Sequence, residues 1–346
     1  EQNMDTARLE AMMDYLAETG ADVESVLVVR HGYIVLEEFP GSDHDPDSLF
    51  DLWSATKSVT SALVGIALRE DLLISVDQKL VEFFPGRITV DLEAGKKEIT
   101  IEHLLTMSPG YRWDEGAGGR MRGSIDAVQY VLDQPMETAP GSTFHYGDGA
   151  SHLLSAILSQ VTGKCALDFA REQLFGPLGI TDVQWTSDRQ GLSLGGSGLF
   201  LKPRDMAKIG YLYLNEGVWG GEQILPPGWA ARSTDTQFSS DWDWEGQGYG
   251  YQWWTLPEGG VHFAHGLWGQ SIFVAPEADM VVVFTANIRD GYDPEFEMLR
   301  GFLGATGERQ AYTGHGFTFE HPAGMVIREG GPLWETATEK EGMVQF

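Results

Sequence analysis

Trp53-Ser54-Ala55-Thr56-Lys57 stands where a strand-like run, Leu49 to Trp53, gives way to a helical one, Ser54 to Arg69. In that helical run Val59, Ala62, Leu63, Ile66 and Ala67 recur at i, i+3, i+4, i+7 and i+8, which predicts a helix with one buried stripe. Ser54 and Lys57 are three residues apart and fall on the same side, so the amine can reach the hydroxyl. A free serine is a poor nucleophile, and a lysine near its usual ~10.4 is a poor base, so burial at this junction would be needed to favour the neutral amine. Unpaired N–H groups at the helix start would stabilise an oxyanion beside Ser54. Taken alone, two fixed positions in four recur by chance, and a capping Ser54 with a solvated Lys57 is the default. The rest of the chain decides between them.

Upstream, Met4 to Thr19 reads as an amphipathic helix, and Ser25 to Val29 and Tyr33 to Glu37 alternate as strands around a His31-Gly32 turn. Downstream come helical patches at Ile101 to Met107, Ile125 to Leu132, Ala150 to Val161 and Ala166 to Leu174. A connector, Gly195-Gly196-Ser197-Gly198, leads to a helix from Pro203 to Asn215 and to strand-like runs at Tyr249 to Thr255, Gly260 to Ala264, Ser271 to Ala275 and Met280 to Ala286. Strands at both ends with helices between imply one sheet built from the two termini. Residues 1–71 with 197–306 form the expected sheet domain, 72–196 an inserted helical subdomain, and 307–346 a C-terminal extension that is either an added hairpin or the stump of another module.

The chain carries 51 acidic and 23 basic side chains over 346 residues, a formal net charge of −28. Eleven tryptophans and 11% aromatic content place that charge on a folded body rather than a disordered acidic tail. Such a polyanion disfavours nucleic-acid and membrane-surface binding. Only 8 of the basic residues are Lys, which suits a surface kept soluble in high salt, or simply an acidic protein. One cysteine, Cys165, excludes an intramolecular disulfide and is expected as a buried, inert thiol. The nine His lack ligand spacing, and no Gly-rich stretch joins a strand to a helix, so neither metal nor cofactor is expected. Apolar runs are strand-length, short of a bilayer span. Compartment and oligomeric state stay open. Gly191-Leu192-Ser193-Leu194-Gly195 matches the G-x-S-x-G nucleophile elbow, but a polar run precedes it and a Gly-rich one follows, so the match is read as fortuitous.

Around Ser54-x-x-Lys57, four further stretches follow in order: Leu72 to Pro85, Ile99 to Gly110, Phe144 to Gly163 and Gly195 to Gly210. Together they resemble the serine β-lactamase-like hydrolases over roughly Val26 to Asn287. The branch includes class C β-lactamases, D-alanyl-D-alanine peptidases, β-lactamase-fold esterases and 6-aminohexanoate-dimer hydrolases. The resemblance implies an α/β (α+β) fold of the β-lactamase/transpeptidase-like type: an antiparallel sheet flanked by helices, with a helical insertion. It implies Ser54 as nucleophile, Lys57 as its partner and Tyr146 as proton shuttle, which works if Lys57 and the oxyanion site lower the phenol from its usual value of about 10. Asp148 stands where the family usually has Asn. A carboxylate cannot donate to a substrate amide, so it either pairs with Lys57 or caps the helix starting near Gly149.

The family's Lys-Thr-Gly is absent. Ala264-His265-Gly266-Leu267-Trp268-Gly269-Gln270 resembles the Ala-x-Gly-x-x-Gly-Gln form of esterase and oligoamide hydrolase members. Matching Gly266 to the family glycine makes the N–H of Leu267, with that of Ser54, the oxyanion donors and leaves Ala264 where the cation would be. A second register makes His265 the lysine equivalent. Gly269-Gln270 favours the first, and either weakens the grip on an anionic substrate. His265, Asp148 and Trp268 are the expected substrate-binding residues. Trp242, Trp244, Tyr249, Tyr251, Trp253 and Trp254 serve either as core packing or as a hydrophobic wall of the cleft. The implied activity is a serine hydrolase that forms an acyl-enzyme with a small-molecule carboxylic ester or amide. Its rivals are a β-lactamase or D-amino-acid-specific peptidase, and a non-catalytic protein that keeps the fold.

Overall fold

Helix α1 (Thr6–Thr19) opens the chain in the computed structural model, which describes residues 4–40, 43–87, 94–240, 247–256, 260–289 and 294–304. Asp5 caps it by accepting from the Ala7 and Arg8 N–H groups, and Gly20 ends it in the left-handed region at φ 65°. Strands β1 (Val23–Arg30) and β2 (Tyr33–Glu38) follow, joined through His31 and Gly32 at φ 51° and 75°. Two consecutive left-handed residues match the twist of a tight hairpin and bring Arg30 opposite Tyr33.

After the short β3 (Phe50–Asp51), a 3-10 turn over Trp53–Ala55 leads into α2 (Thr56–Arg69). The helical region comprises α3 (Leu80–Phe83), α4 (Ile101–Leu105), α5 (Ala117–Gly123), α6 (Ala127–Leu132), α7 (Asp148–Thr162) and α8 (Ala166–Ala170). Then come β4 (Gln184–Trp185), β5 (Leu199–Leu201), α9 (Pro203–Leu214), β6 (Val218–Trp219), β7 (Glu222–Gln223) and α10 (Trp229–Thr234). The chain continues through β8 (Phe238–Ser239), β9 (Gly248–Tyr249), β10 (Trp254–Thr255), β11 (His262–Gly266), β12 (Gln270–Ala275) and β13 (Met280–Ala286) to α11 (Pro294–Gly304).

The main sheet has the order β2-β1-β13-β12-β11-β10-β9-β8, with every pair antiparallel, so strands from both ends of the chain meet at the β1–β13 seam. One face packs on α9, where a Cβ on Gly210 would come within 2.8 Å of Val281 and Ile272. The opposite face carries α1 and α11, with Phe296 edge-on to Phe273 at 5.2 Å and Phe302 stacked on Phe284. This is the β-lactamase/transpeptidase-like arrangement of helices on an antiparallel sheet. Among the described residues no helix is long and apolar enough to cross a membrane.

Several local expectations change. Helix α2 is buried on every side from Thr56 to Ala67 rather than along one stripe. Its hydroxyls make this possible by bonding to neighbouring carbonyls, Ser58 to Gln252 at 2.7 Å and Thr60 to Gly195 at 2.8 Å. The run Tyr249 to Thr255 is not one strand. Gly250 leaves no room for a side chain, since a Cβ would lie 2.2 Å from the Ser233 carbonyl, and Gln252 turns left-handed at φ 62°. Asp126 starts α6 after Ile125 by accepting from Gln129 N–H, leaving Ile125 at the surface. The segment Ala166 to Leu174 is helical only to Ala170 and then widens into a π turn over Arg171–Phe175. Cys165, expected in the interior, is partly exposed because it occupies the cap position before α8. Trp242, Trp244 and the expected C-terminal extension, 307–346, lie outside the described residues.

Candidate active site

The turn that carries Ser54 is seated by a second, three-stranded sheet, β3-β5-β4, in which Phe50 pairs with Leu201 and Asp51 with Phe200. Leu52 N–H donates to the Leu199 carbonyl at 2.8 Å, and Trp53 N–H to Asp51 Oδ1 at 2.9 Å. These bonds hold Trp53 at φ 45°, a conformation costly for a bulky residue and concentrated at functional sites. Ser54 follows, partly exposed, while Lys57 one turn later is only 1% exposed.

Lys57 Nζ donates to Ser54 Oγ at 2.9 Å, to Asp148 Oδ1 at 2.7 Å and to the Gly196 carbonyl at 2.9 Å. An ammonium has three N–H donors, and this environment supplies three acceptors. Burial pulls the lysine downward, but the Asp148 carboxylate and the Tyr146 phenol outweigh it and hold Lys57 above its ordinary value. The condition for a neutral amine is thus not met by burial alone, because the junction that buries Lys57 also contains a carboxylate.

Asp148 opens α7 and thus pairs with Lys57. Burial works against its charge, but Lys57 and then Arg122, whose Nη1 donates to Asp148 Oδ2 at 3.0 Å, keep its carboxyl below the usual range. Tyr146 precedes it on the loop tied down by His145 N–H to the Met107 carbonyl at 2.7 Å. The phenol ring faces Lys57, whose Nζ lies 4.8 Å from the ring centroid. Trp254 tilts against the same ring at 5.3 Å and Tyr249 meets it edge-on at 6.0 Å. Gly147 and Gly149 flank Asp148 because the Trp113 ring lies over both. A Cβ at either would fall 2.4 to 2.5 Å from it.

Strand β11 ends against the nucleophile turn. A Cβ on Gly266 would lie 2.1 Å from the Leu52 carbonyl and 3.1 Å from Ser54 N, so only glycine fits. Leu267, next in sequence, is 51% exposed, and Trp268 at φ 67° packs edge-on to Trp53 at 4.8 Å, with the Arg289 guanidinium 4.1 Å over its ring. His265 is not brought to the cluster. Side chains alternate along a strand, and His265 shares a face with Phe263, toward α11. Its Nδ1 lies 2.9 Å from Ser271 Oγ and its ring packs near Phe296, while burial pushes it down to about 4.

Of the aromatic run, Tyr249 and Trp254 back Tyr146, whereas Tyr251 and Trp253 are core residues at 0% exposure. Ser193 of the G-x-S-x-G match is buried, and its Oγ accepts from Leu167 N–H at 3.1 Å. Arg122 and the Gly196 carbonyl escaped the sequence reading. The Gly-rich connector signals a close backbone approach at Gly196, while nothing local marks Arg122. Among the described residues no group of three or more His, Cys, Asp or Glu is placed to hold a metal ion.

Comparison with known proteins bears on the family and the fold. The family model described as Beta-lactamase matches residues 10–306. A 6-aminohexanoate-dimer hydrolase from Paenarthrobacter ureafaciens is 28% identical over 299 residues, covering 80% of this chain and 75% of its own. A lovastatin esterase from Penicillium rubens is 27% identical over 40% of each chain. Among solved structures, EstCE1, a hydrolase with promiscuous acyltransferase activity, superposes with a TM-score of 0.73 at 19% identity, covering 88% of this chain and 98% of its own. The octameric penicillin-binding protein homologue from Pyrococcus abyssi gives 0.70 at 20% identity, covering 86% and 75%. These two likenesses bear on the fold, and the match over most of the chain on the family: the protein belongs to the beta-lactamase family and is a serine hydrolase.

Proposed function

We propose that the chain hydrolyses a carboxylic ester or small amide through an acyl-enzyme on Ser54. The observation that carries this reading is the contact between Ser54 Oγ and a fully engaged Lys57 Nζ at 2.9 Å, with the Tyr146 ring 4.8 Å from the same ammonium. A lysine held in its charged form has no lone pair to accept a proton. Tyr146 is therefore the base: acting as its phenolate, it takes the Ser54 proton as Oγ attacks the carbonyl carbon, becoming the phenol that later protonates the leaving group, while the Lys57 cation stabilises the negative charge shared between the two oxygens. The tetrahedral oxyanion is received by the N–H groups of Ser54 and Leu267, a role supported by the tight approach of Gly266 to the Ser54 turn. Collapse breaks the bond to the leaving group, which takes its proton from Tyr146. Water then repeats the sequence on the acyl-enzyme and frees the acid.

The preference for an ester or small amide over a β-lactam rests on the β11 end. Ala264 stands where a cation would grip a substrate carboxylate, and His265 is uncharged at neutral pH and turned toward α11. Leu267, Trp268 and Trp53 offer apolar surface beside Ser54, and Asp148 and Trp268 are the proposed substrate-contacting side chains. A panel of p-nitrophenyl esters, a chromogenic cephalosporin and short oligoamides, run on the wild type and Ser54→Ala, tests the proposal. Ester or amide turnover lost in the variant is expected. Cephalosporin turnover with negligible ester cleavage would overturn the preference.

A further inference from the structure

Gln252 lies outside the catalytic cluster, in the connection between β9 and β10, yet it is only 1% exposed and adopts a left-handed backbone at φ 62°. All of its polar groups are engaged, by three different helical elements. Its side-chain Nε2 donates to the Leu104 and Leu105 carbonyls at 3.0 and 2.9 Å, and its own N–H donates to Leu105 at 3.0 Å. These carbonyls belong to the last two residues of α4, where a helix runs short of its own N–H donors. Its Oε1 accepts from Ser151 Oγ at 2.6 Å, on α7, and its carbonyl accepts from Ser58 Oγ at 2.7 Å, on α2.

Those two serines have informative neighbours. Ser58 is next to Lys57, and Ser151 lies one turn beyond Asp148 on the same helix. The Lys57–Asp148 contact is therefore made between the two helices that Gln252 bridges. We infer that Gln252 is a positioning residue: its amide sets the spacing of α2 against α7, and through it the seating of Lys57 between Ser54 and Asp148. This rests on the hydrolase reading above. An ordinary core role would call for an apolar side chain here, since a buried amide is tolerated only when every donor and acceptor is met. The left-handed backbone sharpens the point, because it aims both the main chain and the side chain of one residue at the three elements.

The test uses Gln252→Met, which keeps the length and removes the amide. With circular dichroism and a cooperative thermal transition confirming the fold, labelling of Ser54 by a fluorophosphonate and kcat on a p-nitrophenyl ester should fall about 10- to 100-fold, the scale of a displaced catalytic group. KM should stay within about twofold, since the groups that bind substrate are untouched. Leu9→Ala, in α1 on the far side of the sheet, is the control for lost stability alone and should label at the wild-type rate. Undiminished labelling in folded Gln252→Met overturns the inference. Should that variant fail to fold, Ser151→Ala and Ser58→Ala each remove one link, and wild-type rates in both would overturn it equally. Absence of labelling in the wild type would instead sink the hydrolase reading. The positioning role then remains readable by NMR of 13C-labelled lysine, with Asp148 and Tyr146 facing Lys57 and Arg122 behind Asp148. A lower titration midpoint for Lys57 in Gln252→Met is expected, and an unchanged one counts against it.

Discussion

Two serines in this chain sit in motifs that promise a nucleophile, and their surroundings separate them. Ser54 is partly exposed, follows a left-handed Trp53 and bonds to a buried cation at 2.9 Å. Ser193, between two glycines, is 1% exposed, and its oxygen accepts from a backbone N–H at 3.1 Å. A hydroxyl becomes a nucleophile when its proton has somewhere to go and its oxygen has an open approach, and only the first serine has both. The sharpest way to break this comparison is Ser54→Ala, for which we expect hydrolysis and fluorophosphonate labelling to fall at least about 10³-fold. Residual labelling at Ser193 in that variant would reverse the assignment.

The next effects concern the groups around Ser54. Tyr146→Phe removes the proposed base while keeping the ring against Trp254 and Tyr249, so kcat should drop about 10²- to 10⁴-fold with little change in KM. A loss below tenfold would hand the base role to Lys57. Asp148→Asn removes the charge that holds Lys57 above its ordinary value, while the amide still reaches both cations' neighbourhood. We expect a lysine that titrates lower and kcat reduced about tenfold or more, by the usual cost of unpairing a buried cation. Equal kcat and an unmoved Lys57 midpoint would show that the pair is structural only.

How far these residues could be read from sequence follows the range of their contacts. Ser54 and Lys57 are one helical turn apart, so their meeting is local geometry and visible at once. Tyr146 and Asp148 lie about ninety positions away and were reached only through the resemblance of ordered motifs. Arg122 has no such marker: a basic residue in a short Gly-rich helix reads as a solvated one until the fold sets it on Asp148. The register at β11 was weighed in the sequence through Gly269-Gln270, whereas the close backbone approach at Gly266 and the side-chain face of His265 depend on strand pairing, with His265 opposite Ser271. The all-round burial of α2 was hidden for a related reason. Its serines and threonines look like a polar face, and it takes partners from distant segments to show that they are satisfied inside. The split between β9 and β10 was masked because Tyr249 to Thr255 keeps an aromatic-rich strand composition through a turn.

Acid stability separates the site from the sheet beneath it. Burial pushes His262 and His265 down to about 4 in the fold, whereas unfolded they titrate near the ordinary 6.5. Between those values the unfolded chain binds more protons, so stability falls as pH drops from 6.5 to 4 and levels off below, by up to roughly 3 kcal/mol for each histidine. Asp148 has the same sign but acts in a lower window. Its depressed carboxyl keeps the contribution of its ion pair down to pH values below the ordinary 3.8. Urea midpoints at pH 7 and 4.5 should therefore differ while Lys57 and Asp148 stay paired. A midpoint unchanged over that window would refute the burial of both imidazoles.

The smallest effect belongs to the second serine. Helix α8 begins at Ala166 behind Cys165, which makes no capping bond with its side chain, so the first N–H groups of that helix need partners from elsewhere. Ser193 Oγ provides one by accepting from Leu167 N–H, while its carbonyl takes the Ser155 hydroxyl at 2.6 Å and so ties the loop to α7. Ser193 thus caps α8 from a distance, doing for it what Asp5 does locally for α1. Ser193→Ala should cost about 1 kcal/mol, the ordinary worth of a cap, with kcat and KM unchanged. Cys165→Ser puts a stronger acceptor at the local cap position and should restore part of that loss. A fall in kcat for Ser193→Ala beyond what its stability explains would mean that the loop before Gly196, whose carbonyl holds Lys57, has shifted, and that the two serines are less independent than their surroundings show.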